Sequence, residues 1–391
     1  MEPDAIESRS AYLDYNATAP MRPAALAAMN EALSAVGNAS SVHHHGRSAA
    51  GRVDRARRSL ADLLGCSPGE IIFTSGATEA NNLALHAAHT GQQVIVTSAV
   101  EHPAVLETAR ALTCGASDSL TILPVDRQGQ LDTEAFKASF LGRDVSLVSL
   151  MLANNETGVI TDLSPMIEAA HSAGALIHTD ATQYVGKLPL DLGVLNVDLM
   201  SLSAHKFGGP QGVGALFIRR GIRLPQRPLT FGGGHERGWR AGTLNVPGIT
   251  GLGAAAEAAN RDLLEDASRS TKLRDLLEGE LLARLPGSYV NGAGAPRLPG
   301  VTSITFPGAP ADAVLSSMPD VAASDGSACA AGAPSPSHVL VAMGLSREDA
   351  DATIRFSLGY STTEQEVRRA VASTAQAVTH VQALMSATAG P

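Results

Sequence analysis

The stretch Asp198-Leu199-Met200-Ser201-Leu202-Ser203-Ala204-His205-Lys206-Phe207-Gly208-Gly209-Pro210 decides how the rest of the chain is read. An apolar run ends in a hydroxyl, an imidazole, an amine and a glycine turn, which is the pattern of a buried strand delivering one lysine to a pocket. Lysine prefers surfaces, so Lys206 directly after such a strand is a candidate functional amine. Taken alone the pattern also describes a solvated residue at a strand end. Ser203 and His205, alternating beside the amine, add two groups able to bind phosphate.

Working outward, other strand candidates end in equally polar groups. Glu70–Ser75 runs into Gly76-Ala77-Thr78-Glu79, a glycine turn opening a helix, where free amides and the helix dipole would hold an anion. Plain N-capping by Thr78 is the competing reading. The strand 93–98 precedes His102, at the edge where open α/β sheets place their ligands, although a histidine there is often a satisfied cap. The strand 145–152 leads to Asn154-Asn155-Glu156-Thr157-Gly158, whose amides can address a phenolic oxygen or simply make the turn. The strand 175–180 ends in Asp180, followed by Gln183, and an aspartate there is costly to bury without a cation or proton donor. A pyridinium nitrogen is such a partner, and an amine beside an anion site suits a phosphorylated aldehyde; pyridoxal phosphate fits both. Strands alternating with helices predict a mostly parallel sheet with helices on both faces. Beyond the strand 212–218 lies Phe231-Gly232-Gly233-Gly234-His235-Glu236-Arg237-Gly238-Trp239-Arg240-Ala241-Gly242-Thr243, a doubly basic loop that could close over an anion.

A long helix from Pro247 marks the change to a second region, with strands at 301–306 and 353–358 and a terminal helix over 363–385. Arg355 sits on an apolar strand and requires a carboxylate partner. Between the strands, Ala322 to Pro334 is almost entirely small residues, the composition of a mobile loop, and it carries an accessible Cys329.

At 391 residues the chain predicts two domains. A formal net charge of -9 gives no reason to expect nucleic acid or an anionic membrane as partner. No apolar run reaches spanning length and Met1-Glu2-Pro3-Asp4 lacks signal-peptide character, so a cytoplasmic protein is expected. Three cysteines, Cys66, Cys114 and Cys329, are too scattered for a disulfide framework or a CxxC metal site. His43-His44-His45 cannot all face one ion, and no metal site is expected.

The motifs together resemble the cysteine desulfurases of the NifS/IscS group, within the class V aminotransferase family of fold-type I pyridoxal-phosphate enzymes. The resemblance runs from Tyr12-Leu13-Asp14 to Arg355-Phe356-Ser357-Leu358-Gly359. It is carried by Thr74 to Asn82, Glu101-His102, Asn154 to Gly158, Asp180-Ala181-Thr182-Gln183, Ser203-Ala204-His205-Lys206, Gly232 to Gly238 and Gly326-Ser327-Ala328-Cys329. It implies an α/β fold: a large domain, 16–250, with a mostly parallel seven-stranded-type sheet, and a smaller α+β domain formed by 1–15 and 251–391. It implies that Lys206 bonds the cofactor aldehyde, His102 stacks on the ring and relays protons, Asp180 pairs with the pyridinium nitrogen, and Asn155 and Gln183 address the phenolic oxygen or nearby substrate. Phosphate contacts follow from Gly76, Ala77, Thr78, Ser203 and His205, with Thr243 reaching across from a partner subunit of a homodimer. L-cysteine, held by Arg355 and Asn155, would become alanine with its sulfur left as a persulfide on Cys329. A sulfur-acceptor protein would then take it toward iron-sulfur clusters, tRNA thiolation or other sulfur trafficking. Ala330-Ala331 after the cysteine, Tyr360 in place of a basic residue, and a short tail after Met385 depart from the pattern and bear on that acceptor. A selenocysteine lyase or other β-eliminase would share Lys206 and Asp180 without needing Cys329; a sulfur-relay scaffold would need no turnover.

Overall fold

The computed structural model describes residues 10–91, 93–114, 118–225, 228–325 and 336–388. Its strands are β1 (Ala11–Tyr12), β2 (Ile71–Thr74), β3 (Val94–Ser98), β4 (Leu120–Leu123), β5 (Val145–Ser149), β6 (Leu176–Asp180), β7 (Leu199–Ser203), β8 (Gly214–Ile218), β9 (Tyr289–Val290), β10 (Val301–Thr305), β11 (Val321–Ala322) and β12 (Thr353–Ser357). Seven form one sheet in the order β2-β8-β7-β6-β5-β3-β4. All neighbours are parallel except β8, which runs antiparallel to β2 and β7.

Successive side chains of a strand face opposite ways, and here both faces are covered. Ile71, Phe73, Val96 and Val148 pack into one apolar core with the helices Pro23–Leu33 and His44–Leu64. Their neighbours Ile72, Ile95 and Leu147 pack into another with the helices Ala77–Ala88 and Pro103–Leu112. This is why the central strands read as continuous apolar runs.

A second, antiparallel sheet has the order β12-β10-β9. Its core joins Ile304, Phe306, Ile354 and Phe356 to Val371 and Val378 of the terminal helix and to Leu13. The helix Val246–Arg284 serves both cores, with Ile249, Leu252 and Ala259 in the first and Leu273, Leu277 and Leu281 in the second. The N-terminal segment pairs β1 with β11, places Leu13 in the second core and bridges Asp14 to Ser357. Asn16 therefore arrives at the carboxyl ends of β3, β5, β6 and β7, where the parallel strands leave a crevice. Among the described residues, no helix is long and apolar enough to cross a membrane.

Candidate active site

That crevice is a cavity of about 370 Å³, lined by Gly76, Ala77, Thr78, His102, Asn155, Asp180, Gln183, Ser203, His205, Lys206 and Arg355. At one end the helix Ala77–Ala88 starts after Gly76, and no side chain caps it. Thr78 lies inside the first turn, so the capping reading fails and the first amides face the cavity. Ser203 and His205 approach from the end of β7. Close contact makes the turn possible: a Cβ on Gly214 would stand 2.7 Å from the Gly76 Cα. His205 Nδ1 lies 3.2 Å from Thr18 Oγ1, and burial, followed by Lys206 and Lys187, pushes its imidazole down to about 4. The imidazole is therefore neutral at neutral pH.

At the opposite end Asp180, 6% exposed, closes β6. Asn81 Nδ2 donates to its Oδ2 at 2.7 Å and the Thr182 amide to its Oδ1 at 2.9 Å. Among the described residues its hydrogen-bonding partners are these neutral groups, and no ion pair involves it. Behind it His178 is fixed between the Ser149 and Ser201 hydroxyls at 2.8 and 2.9 Å. Burial pushes that imidazole down to about 4, leaving it neutral.

His102 is the N-cap of the helix Pro103–Leu112: its Nδ1 accepts the Ala104 amide at 3.0 Å. The ring proton is thereby assigned to Nε2. Capping and a place on the cavity wall coexist. Burial lowers the affinity of this ring for a second proton; Asp180 opposes that, while Lys206 and His338 reinforce it. Its neighbour Glu101 is fully buried, accepts from Ser98 Oγ and the Met151 amide, and is pushed up to about 8 by burial.

Lys206 ends a short 3-10 turn after β7, and its Nζ donates to the carbonyls of Asn16 at 2.5 Å and Ala17 at 2.9 Å. Asn16 organises this wall. Its Oδ1 accepts from Lys187 Nζ at 2.7 Å, its carbonyl also accepts from Gln183 Nε2 at 3.0 Å, and its Nδ2 donates to the Asn155 carbonyl at 2.9 Å. Lys187 also donates to Gln183 Oε1 at 2.8 Å. Burial, then Lys206 and Arg355, hold the Lys187 amine well below its ordinary range. From β12, Arg355 pairs with Asp14 Oδ1 at 2.7 Å and donates to the Asn155 carbonyl at 3.1 Å, while its Nε is buried with no hydrogen-bond partner among the described residues. Asp14 is the carboxylate that the apolar setting of Arg355 called for.

Asn16, Asn81, Asp14 and Lys187 were not singled out by the sequence. Asn81 and Asp14 lie within quoted motifs but carry no role there, Asn16 sits in a stretch with no glycine turn or strand end to mark it, and Lys187 follows an ordinary-looking Val185-Gly186. The basic loop is held by contacts within this chain. Arg237 donates to the Ile71 carbonyl, Arg240 pairs with Glu79 at 3.0 Å, and Glu236 forms a buried pair with Arg57 at 2.6 Å. These groups fasten the loop to its own chain. Thr243 is exposed and is not among the residues lining this chain's cavity. Cys329 lies outside the described residues.

The cavity fits pyridoxal phosphate. Its volume is that of a cofactor site. One end offers amides, a hydroxyl and a neutral imidazole; the other, a buried carboxylate with no cation of its own; a lysine amine stands on the wall between. Among the described residues no cluster of three or more metal-ligating side chains occurs.

Residues 11–370 match the family model described as aminotransferase class-V. A cysteine desulfurase of Gluconacetobacter diazotrophicus is 45% identical over 365 residues, spanning 92% of this chain and 90% of that protein. The structure of a NifS-like protein from Rickettsia africae superposes with a TM-score of 0.85 at 30% identity, covering 94% of this chain and 99% of that one. A structure titled "SspA in complex with cysteine" matches with a TM-score of 0.79 at 32% identity, over 89% and 99% of the two chains. The chain therefore belongs to the class-V aminotransferase family, among its pyridoxal-phosphate-dependent cysteine desulfurases.

Proposed function

We propose that the protein converts L-cysteine to L-alanine and carries the released sulfur as a persulfide on Cys329. The observation that supports this most is the convergence of Lys206, Asp180 and Arg355, from β7, β6 and β12, on one cavity. Gly76, Ala77, Thr78, Ser203 and His205 would hold the phosphate, Asp180 the ring nitrogen and Asn155 and Gln183 the phenolic side, with His102 against the ring. When bound, the cofactor supplies an electron sink for the carbon that loses a proton. Arg355 takes the substrate carboxylate, with Asn155 beside it. The Lys206 amine, aimed by the Asn16 and Ala17 carbonyls, removes the α-proton and returns a proton to carbon. His102, neutral with its proton on Nε2, would present that N–H to the cavity as a donor. The Cys329 thiolate attacks the substrate sulfur; a sulfur–sulfur bond forms, the carbon–sulfur bond breaks with its electron pair left on carbon, and that carbon is protonated.

The same reading divides the chain into a large domain, 16–250, and a small domain of 1–15 and 251–391, supported by the two separate cores. It makes the protein a cytoplasmic homodimer in which Thr243 completes the partner's phosphate site, and it supplies a sulfur-acceptor protein of iron-sulfur or thiolation chemistry. Incubation with L-cysteine should yield alanine in equal amount to sulfide when reductant is present, and a single turnover with added sulfur mass on the Cys329 peptide when it is absent. Cys329→Ala should bind L-cysteine and release almost no alanine. Wild-type alanine production by that variant would favour direct β-elimination instead.

A further inference from the structure

We propose that Asn81 is a positioning residue for Asp180, fixing the carboxylate that meets the cofactor's ring nitrogen; the inference rests on the role given to Asp180 above. Asn81 stands one turn beyond Ala77 and Thr78 on the helix Ala77–Ala88. Residues three and four apart share a helix face, so this one face serves both ends of the cavity. Its first amides meet the phosphate, and its asparagine reaches the acid at the opposite end.

Three observations give Asn81 that task. It is 1% exposed, and its Nδ2 donates to Asp180 Oδ2 at 2.7 Å while the Thr182 amide takes Oδ1 at 2.9 Å. One donor on each oxygen fixes the rotation of the carboxylate. Second, Asn81 Oδ1 is buried without a hydrogen-bond partner among the described residues. Turning the amide over would set that oxygen against a carboxylate oxygen, so the orientation is determined. Third, a buried helix position is better served by alanine or leucine unless the polar group is needed, because an unsatisfied oxygen costs stability.

The test compares binding of pyridoxal phosphate with binding of its 1-deaza analogue, in which C–H replaces the ring nitrogen, to the apoprotein of wild type and of Asn81→Ala, by equilibrium dialysis. Asn81→Ala should bind pyridoxal phosphate about tenfold more weakly, the scale of one hydrogen bond to a charged group. Binding of the analogue, which has no ring proton for Asp180 to hold, should be unchanged. Equal losses for both ligands would mean a structural role only and would overturn the inference, as would full wild-type discrimination surviving in the variant. If wild type itself failed to distinguish the two ligands, the role of Asp180 would fall, and this inference with it. Asn81→Leu, which keeps the volume, provides the same comparison should the alanine variant fold poorly.

Discussion

The two walls of the cavity are built by different means. The wall formed by the large sheet presents side chains at strand ends: His102, Asp180, Ser203, His205 and Lys206 each follow an apolar run that fixes where they emerge. The wall formed by the N-terminal segment, β12 and the loop after β5 presents backbone carbonyls and one guanidinium. The carbonyls of Asn16, Ala17 and Asn155 accept from Lys206, Gln183 and Arg355. On the function proposed above, the first wall supplies the chemistry and the second aims it. The lesson is that an amine or guanidinium gains its direction from acceptors contributed by residues remote in sequence, 190 positions away for Lys206 and Asn16 and 341 for Arg355 and Asp14.

If that division is right, substitutions on the sheet wall should abolish reaction, and those on the other wall should weaken substrate handling while the cofactor stays in place. The largest effect is expected for Lys206→Ala, which should lose borohydride-reducible attachment of the cofactor; attachment surviving at another lysine would end the comparison. Next, Arg355→Ala should raise KM for L-cysteine about 100-fold, the scale of a lost charge-assisted pair, with the visible spectrum of the bound cofactor unchanged. A spectrum altered as much as KM would move Arg355 to the cofactor side.

A smaller change, about tenfold in KM, is expected for Asp14→Asn, because the Asp14 carboxylate orients Arg355 without meeting substrate. An unchanged KM in Asp14→Asn would show that Arg355 is aimed by the Asn155 carbonyl alone.

The smallest effect concerns stability on the sheet wall. Burial raises the Glu101 carboxyl from 4.5 to about 8, so the folded state binds a proton that the unfolded state gives up. Stability contributed by that proton is present below about 4.5 and is lost as pH rises toward about 8. Glu101→Gln should flatten the fall of melting temperature with pH across this window, and a slope equal to wild type would mean that Glu101 stays charged when buried.

The sequence by itself determined the sheet wall. Continuous apolar runs ending in polar residues mark parallel strands buried on both faces, and the ligand edge of such a sheet lies at those ends. Asp180, His102 and Lys206 were legible because a polar group there breaks a strong local pattern. Thr78 was ambiguous for the opposite reason: a hydroxyl near a helix start looks the same whether it caps or leaves its amides open, and only the place of Gly76 before the first turn decides. The tertiary structure alone decided the other wall. Asn16 breaks no periodicity, Asn81 is a single polar residue on an otherwise apolar helix face with nothing local to name its partner, and a backbone carbonyl has no letter in a sequence, so their roles exist only once β6, β7, β12 and the N-terminal segment meet. The same holds for the arginines of the glycine-rich loop, whose composition suits an anion but whose partners, Glu79 and the Ile71 carbonyl, are set by packing against β2. Local patterns fix which residues leave the core; what they then meet is a matter of long-range contact.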